Sequence, residues 1–99
     1  RTDFQGGSAS SLFTSLREKV FTLPEDTVLA PAHDYKDRNL STVGDEMRWN
    51  PRLKMSKTEE EFEAIMGGLN LSYPKKFDVA VPANMMCGAY EVAGEGKCE

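Results

Sequence analysis

Thr27-Val28-Leu29-Ala30-Pro31-Ala32-His33-Asp34-Tyr35 is the stretch on which the fold turns. Its first four residues read as a short buried strand. Pro31 ends it, because proline has no N–H to give a sheet ladder. His33, the sole histidine of the chain, follows at once. Strand ends are where α/β folds place functional groups, so His33 is the first candidate for chemistry. Asp34 beside it either raises the imidazole pKa or faces water.

Working outward, Gly6-Gly7-Ser8 reads as a flexible entry. Ser8 or Ser10 caps a helix that carries Leu12, Phe13, Leu16 and Val20 on one face. Leu23-Pro24 stops it. Beyond Tyr35 lies a polar, charged loop. Ser41 or Thr42 caps a second helix through Glu46, Met47 and Trp49, ending before Pro51. Ser56-Lys57-Thr58-Glu59 reads as a capping box. The helix after it shows Phe62, Ile65, Met66 and Leu69 on one side, and Gly67-Gly68 stops it. Tyr73-Pro74 is a turn, and Phe77-Asp78-Val79-Ala80-Val81 reads as one more short strand. The expected order is helix, strand, helix, helix, strand. Two strands about fifty residues apart do not make a self-sufficient sheet. With an opening residue that is Arg1 rather than Met, this gives the expectation of a piece of a longer chain.

The chain has 99 residues, 12 Lys+Arg and 16 Asp+Glu, for a net charge of -4. An acidic balance argues against nucleic acid as the main partner. No run approaches the apolar length of a membrane span. Cys87 and Cys98 are too few and too clustered for a disulfide framework. Two free thiols are the expectation, with a local bridge near the end as the alternative. No phosphate-binding glycine motif occurs; Gly94-Glu95-Gly96 only resembles one. One histidine with scattered carboxylates does not complete a metal site. Arg1, Arg48 and Arg52 are candidates for carboxylate recognition, against the commoner surface salt bridge. Arg52 stands out because Asn50-Pro51 holds it in a rigid turn. Asn84, after Pro82-Ala83, is similarly held. Trp49, Phe62 and Met66 read as core, and Glu59-Glu60-Glu61 as a solvated helix start.

Six segments stand in series: Arg1-Thr2-Asp3-Phe4-Gln5, Phe21-Thr22-Leu23-Pro24, Pro31-Ala32-His33-Asp34-Tyr35, Asn50-Pro51-Arg52-Leu53, Ile65-Met66 with Leu69-Asn70-Leu71, and Val79-Ala80-Val81-Pro82-Ala83-Asn84. In this order and spacing they resemble the C-terminal part of the persulfide dioxygenases. These are sulfur dioxygenases of the metallo-β-lactamase superfamily, related to the ethylmalonic encephalopathy protein. The resemblance implies an α/β (α+β) class, with residues 1–88 as a C-terminal portion of an αββα sandwich and 89–99 as a flexible tail. It implies oxidation of glutathione persulfide to sulfite and glutathione with O2 at one Fe(II). The family's iron ligands lie in H-x-H-x-D-H, P-G-H and T-G-D segments upstream of Arg1, so no metal ligand is expected in this chain. The 99 residues alone are expected to be inactive.

The resemblance places His33 close to the iron without binding it, and Arg1 with Asp3 as an orienting hydrogen-bond pair below the metal. It assigns Tyr35, Arg52 and Asn84 to glutathione. Cys87 matches a family cysteine to which no role is given. The rival is a fragment of a glyoxalase II-like hydroxyacylglutathione hydrolase, whose R-x-x-K spacing does not occur here. A non-catalytic truncated chain with exposed sheet edges is the third reading. A homodimer is compatible with the family. Location follows the source: mitochondrial in a eukaryote, cytoplasmic in a bacterium.

Overall fold

The structure, a computed structural model, describes residues 1–88. They form two compact units, Arg1–Leu69 and a second that begins at Asn70. The expected tail over 89–99, with Cys98 and Gly94-Glu95-Gly96, lies outside the described residues.

In the first unit, α1 spans Ala9–Ser15 and runs on into a π-type turn, Leu16–Val20. The Ser8 hydroxyl caps α1 by accepting from the Ser11 amide at 3.1 Å. The widened turn is closed by the Phe21 amide donating to the Leu16 carbonyl, five residues back, at 2.8 Å. Such turns insert one extra residue into a helix and are frequent at functional sites. The helix ends before Leu23-Pro24, since Pro24 has no N–H to continue the ladder, and in its last turn the Thr22 hydroxyl donates to the Glu18 and Lys19 carbonyls.

The expected strand is present but minimal. β1 is Val28–Leu29, and it pairs antiparallel with β2, Ser41–Thr42. One expectation is corrected here: the strand is not buried, since Val28 is 60% exposed. Its partner, which the sequence did not single out as a strand, comes from the end of the polar loop. Ser41 and Thr42 give little apolar pattern, so their pairing is set by the register Val28↔Thr42 and Leu29↔Ser41. Pairing continues where the Val43 amide donates to the Thr27 carbonyl at 3.0 Å.

α2, Val43–Trp49, starts on Thr42, whose hydroxyl accepts from the Asp45 amide at 3.2 Å. Gly44 is needed because a Cβ would lie 3.1 Å from Glu25 Cβ and 3.2 Å from its carbonyl oxygen. α3, Glu59–Gly67, carries a capping box on Thr58 and Glu61, two residues later than the sequence suggests. Three consecutive glutamates let either hydroxyl find its partner, and the Lys57 amide is already committed to the Lys54 carbonyl. Val43 and Phe62 are the fully buried side chains, with Phe21 close behind. Phe13 meets Phe62 with ring centroids 5.6 Å apart, tying α1 to α3. Ser10 donates to Glu59 across the same seam. Met66 is half-buried, whereas Trp49 is 76% exposed and so is not the core residue expected.

The second unit corrects the last expected strand. Phe77–Met85 is a helix, α4, not a strand over 77–81. A short apolar run does not distinguish the two periods. The helix is set by backbone bonds, as where the Ala80 amide donates to the Lys76 carbonyl, four residues back, at 2.8 Å. The turn before it is closed by Tyr73, which donates to Asp78 at 2.6 Å and packs its ring on Phe77 at 4.9 Å. The Asp78 carboxylate pushes the Tyr73 phenol pKa up. No helix among the described residues is long and apolar enough to cross a membrane.

Replacing Phe62 by Ala in the full-length protein is expected to cost about 3–5 kcal/mol, the range for removing a buried aromatic ring. Chemical denaturation followed by circular dichroism measures it. A loss under about 1 kcal/mol removes Phe62 from the centre of the core.

Candidate functional site

Two groups of predicted residues emerge in the first unit. The first is at the amino end. Arg1 Nε donates to Asp3 Oδ1 at 2.9 Å and Arg1 Nη2 to Asp3 Oδ2 at 2.6 Å, a two-pronged fork. The guanidinium also lies over the Phe4 ring, 4.4 Å from its centroid. Hydrogen bonding to Arg1 is the main cause holding the Asp3 carboxyl below its usual range, and Asp3 in turn raises Arg1. Tyr35 is near enough to add to the rise on Arg1. Tyr35 stacks on His33 with ring centroids 6.2 Å apart and planes at 19°. Arg1 and Asp3 thus form one pair, and His33 and Tyr35 another.

Asp34 stands apart from both pairs. Its carboxylate accepts from the backbone amides of Lys36, at 3.1 Å, and Arg38. The sequence offered a choice between tuning His33 and facing water. Asp34 instead folds the loop, and Asp37 takes the left-handed conformation within it, φ 55°.

Gly6-Gly7 is not merely a flexible entry. The Gly7 amide donates to the Phe4 carbonyl at 2.8 Å. A Cβ on Gly7 would lie 2.6 Å from the Thr2 carbonyl oxygen and 2.9 Å from that of Arg1. Backbone occupies the space, so only glycine lets the chain pass this close to the backbone of Arg1 and Thr2.

The second group is the turn after α2. Asn50 closes α2 in an extended conformation, as a residue before proline prefers. Its Oδ1 accepts from the amides of Arg52 at 2.9 Å and Leu53 at 3.0 Å. Its Nδ2 donates to Glu46 Oε2 at 2.6 Å, and Glu46 Oε1 accepts from Ser41 at 2.8 Å. The rigid turn expected around Arg52 is therefore present. Arg48 pairs with Glu25, and Arg1 with Asp3. The Arg52 guanidinium has neither a hydrogen bond nor an ion pair among the described residues. It borders an open recess of about 250 Å³, shared with Leu12, Asn50, Pro51, Leu53, Phe62 and Met66. A free fork beside an apolar recess suits a ligand with a carboxylate and an aliphatic body.

Asn84 lies exposed on α4 in the second unit. Cys87, exposed just beyond it, has φ 56°. Among the described residues, His, Cys, Asp and Glu nowhere gather in threes that could hold a metal ion.

Arg17 went unread in the sequence. Its guanidinium donates to the carbonyls of Leu53, Lys54, Met55 and Lys57 at 2.8–3.4 Å. It also lies over the Phe13 ring at 4.6 Å and the Phe21 ring at 6.0 Å. The signal was available: Phe13, Arg17 and Phe21 recur every four residues, which puts the cation between two rings on one face.

No family model matches the chain. Known proteins do. The chain is 56% identical over 88 residues to the mitochondrial persulfide dioxygenase ETHE1 of Homo sapiens, across 89% of this chain and 34% of that protein. The crystal structure of ETHE1 from Myxococcus xanthus superposes with a TM-score of 0.83 at 52% identity, over 90% of this chain and 39% of that one. A protein of Burkholderia pseudomallei named as a probable metallo-hydrolase is 38% identical over 95 residues. The chain is thus one stretch of an α/β metallo-β-lactamase fold. Within that class it is homologous to the persulfide dioxygenases. It spans about a third of the length of the curated relatives it matches.

The fork carries a pH signature. A carboxyl with a depressed folded pKa adds stability above its unfolded pKa, lost as pH falls through the folded one. In the full-length protein, the Asp3 carboxyl is expected to titrate below the ordinary 3.8 by NMR. Arg1→Ala should return it toward that value; an unshifted Asp3 in the unsubstituted protein refutes the fork. Gly7→Ala should have the same effect on Asp3 by displacing the Arg1–Thr2 backbone.

Proposed function

We propose that this chain is part of a persulfide dioxygenase and supplies its glutathione-facing surface. The observation that carries the reading is 56% identity to human ETHE1 sustained over 88 residues. The whole protein then oxidises glutathione persulfide with O2 to sulfite and glutathione. The relatives imply a metal cofactor. We take it to be Fe(II), held by residues outside this stretch, since the described residues do not fit such a site.

Arg52 is the residue we assign to a substrate carboxylate. Its unpaired guanidinium beside an apolar recess supports this, and Tyr35 and Asn84 are assigned to the same substrate as hydroxyl and amide partners. His33, Arg1 and Asp3 are assigned to orienting groups near the metal. The stacked His33–Tyr35 pair and the Arg1–Asp3 fork support this, since each side chain is oriented by its neighbour. The hydroxyacylglutathione hydrolase reading falls behind, because the R-x-x-K spacing does not occur in this sequence. With mitochondrial relatives, a mitochondrial location is the reading for a eukaryotic source.

Steady-state kinetics of the full-length protein test the assignment. Arg52→Ala should raise KM for glutathione persulfide about tenfold, the scale of one charge-assisted hydrogen-bonded pair, with kcat and iron content kept. An unchanged KM removes Arg52 from substrate binding. Sulfite formation that does not depend on O2 removes the dioxygenase reading itself.

A further inference from the structure

We infer that Arg17 is a positioning residue for substrate binding, acting through Arg52. This rests on the assignment of Arg52 above. The segment after Arg52 turns its carbonyls inward. Those of Leu53, Lys54 and Lys57 lie 3.1, 3.0 and 2.8 Å from one Arg17 nitrogen, Nη2. Nη1 reaches the Met55 carbonyl at 3.4 Å and its sulfur at 3.5 Å. Carbonyl dipoles aimed at one point repel each other unless a cation lies between them. Arg17 is that cation, and it is half-buried.

The same turn is tied from its other end by Asn50 and by the Met55 amide, which donates to the Met47 carbonyl at 2.8 Å. Arg52 sits between these two anchors. Among the described residues the Arg52 guanidinium has no hydrogen-bond partner, so the turn fixes where its side chain starts and thereby the region it can reach. Arg17 is held in turn by Phe13 and Phe21, which leaves it one direction in which to donate. Nothing in the contacts of Arg17 is itself offered to a ligand. Its effect on binding therefore runs through the turn.

The test is a cycle in the full-length protein with Arg17→Gln, Arg17→Lys, Arg52→Ala and the double variant Arg17→Gln/Arg52→Ala. Arg17→Gln is expected to raise KM for glutathione persulfide about fivefold with kcat and iron content near the unsubstituted values. Arg17→Lys restores part of the loss, since an ammonium keeps the charge but loses the planar fork. The double variant should be no worse than Arg52→Ala alone, because coupled residues are not additive. An unchanged KM in Arg17→Gln, or effects that multiply in the double variant, overturns the inference. If Arg52→Ala alone leaves KM unchanged, the Arg52 assignment fails first, and the cycle shows which of the two is wrong. Should Arg17→Gln not fold, amide hydrogen exchange over residues 52–57 in Arg17→Lys decides. Faster exchange there than in the rest of the protein is expected, and unchanged protection overturns the inference.

Discussion

One guanidinium holds the first unit together. Arg17 leaves a helix at its widened turn, passes between two phenylalanine rings and ends among four backbone carbonyls. Three of those carbonyls, of Leu53, Lys54 and Lys57, are part-buried and gain a charged donor, while the bond to the exposed Met55 carbonyl is longer. The arrangement links α1 to the segment between α2 and α3, which otherwise shares little apolar surface with it. Phe13 serves both sides, with Arg17 over its ring and Phe62 packed against it at a tilt of 40°.

Arg17 lies within the π-type turn, with Phe13 one turn before it and the buried Phe21 at its end. Its guanidinium lies over both rings, at 4.6 and 6.0 Å, and still reaches the 53–57 segment. The amino-terminal set obeys a different constraint. There the backbone of Arg1 and Thr2 passes within a methyl group's width of Gly7. Close approach of two backbones, not side-chain packing, is the constraint at Gly7.

Local chemistry was legible wherever a residue's preference is local. Ser8 and Thr42 cap as their hydroxyls suggest. Asn50-Pro51 forms the turn that its dipeptide implies, and Phe62 lies in the core. The same reasoning misplaced the capping box, because Ser56 and Thr58 both stand three residues before a glutamate. It took Phe77–Val81 for a strand, because valines at alternate positions fit either period, and the backbone bonds that make the segment a helix are not written in the side chains. Of the candidate arginines, Arg1, Arg48 and Arg52, the sequence set Arg52 apart by its turn but named no partner for any of them. Only folding brings Glu25 to Arg48 and leaves Arg52 beside the recess.

The order of the segments is a property of the sequence alone, and with it the relationship to the persulfide dioxygenases, the helix caps and the turn around Arg52. Each depends on residues within a few positions of one another, or on their order along the chain. The tertiary structure decided what needed distant residues to meet: the pairing of Val28–Leu29 with Ser41–Thr42, the closeness of Arg1 to Tyr35, and the seat of Arg17 among the carbonyls of residues 53–57. A carbonyl carries no identity in the sequence, since every residue has one. Which carbonyls turn toward a given guanidinium is settled only when the chain closes on itself.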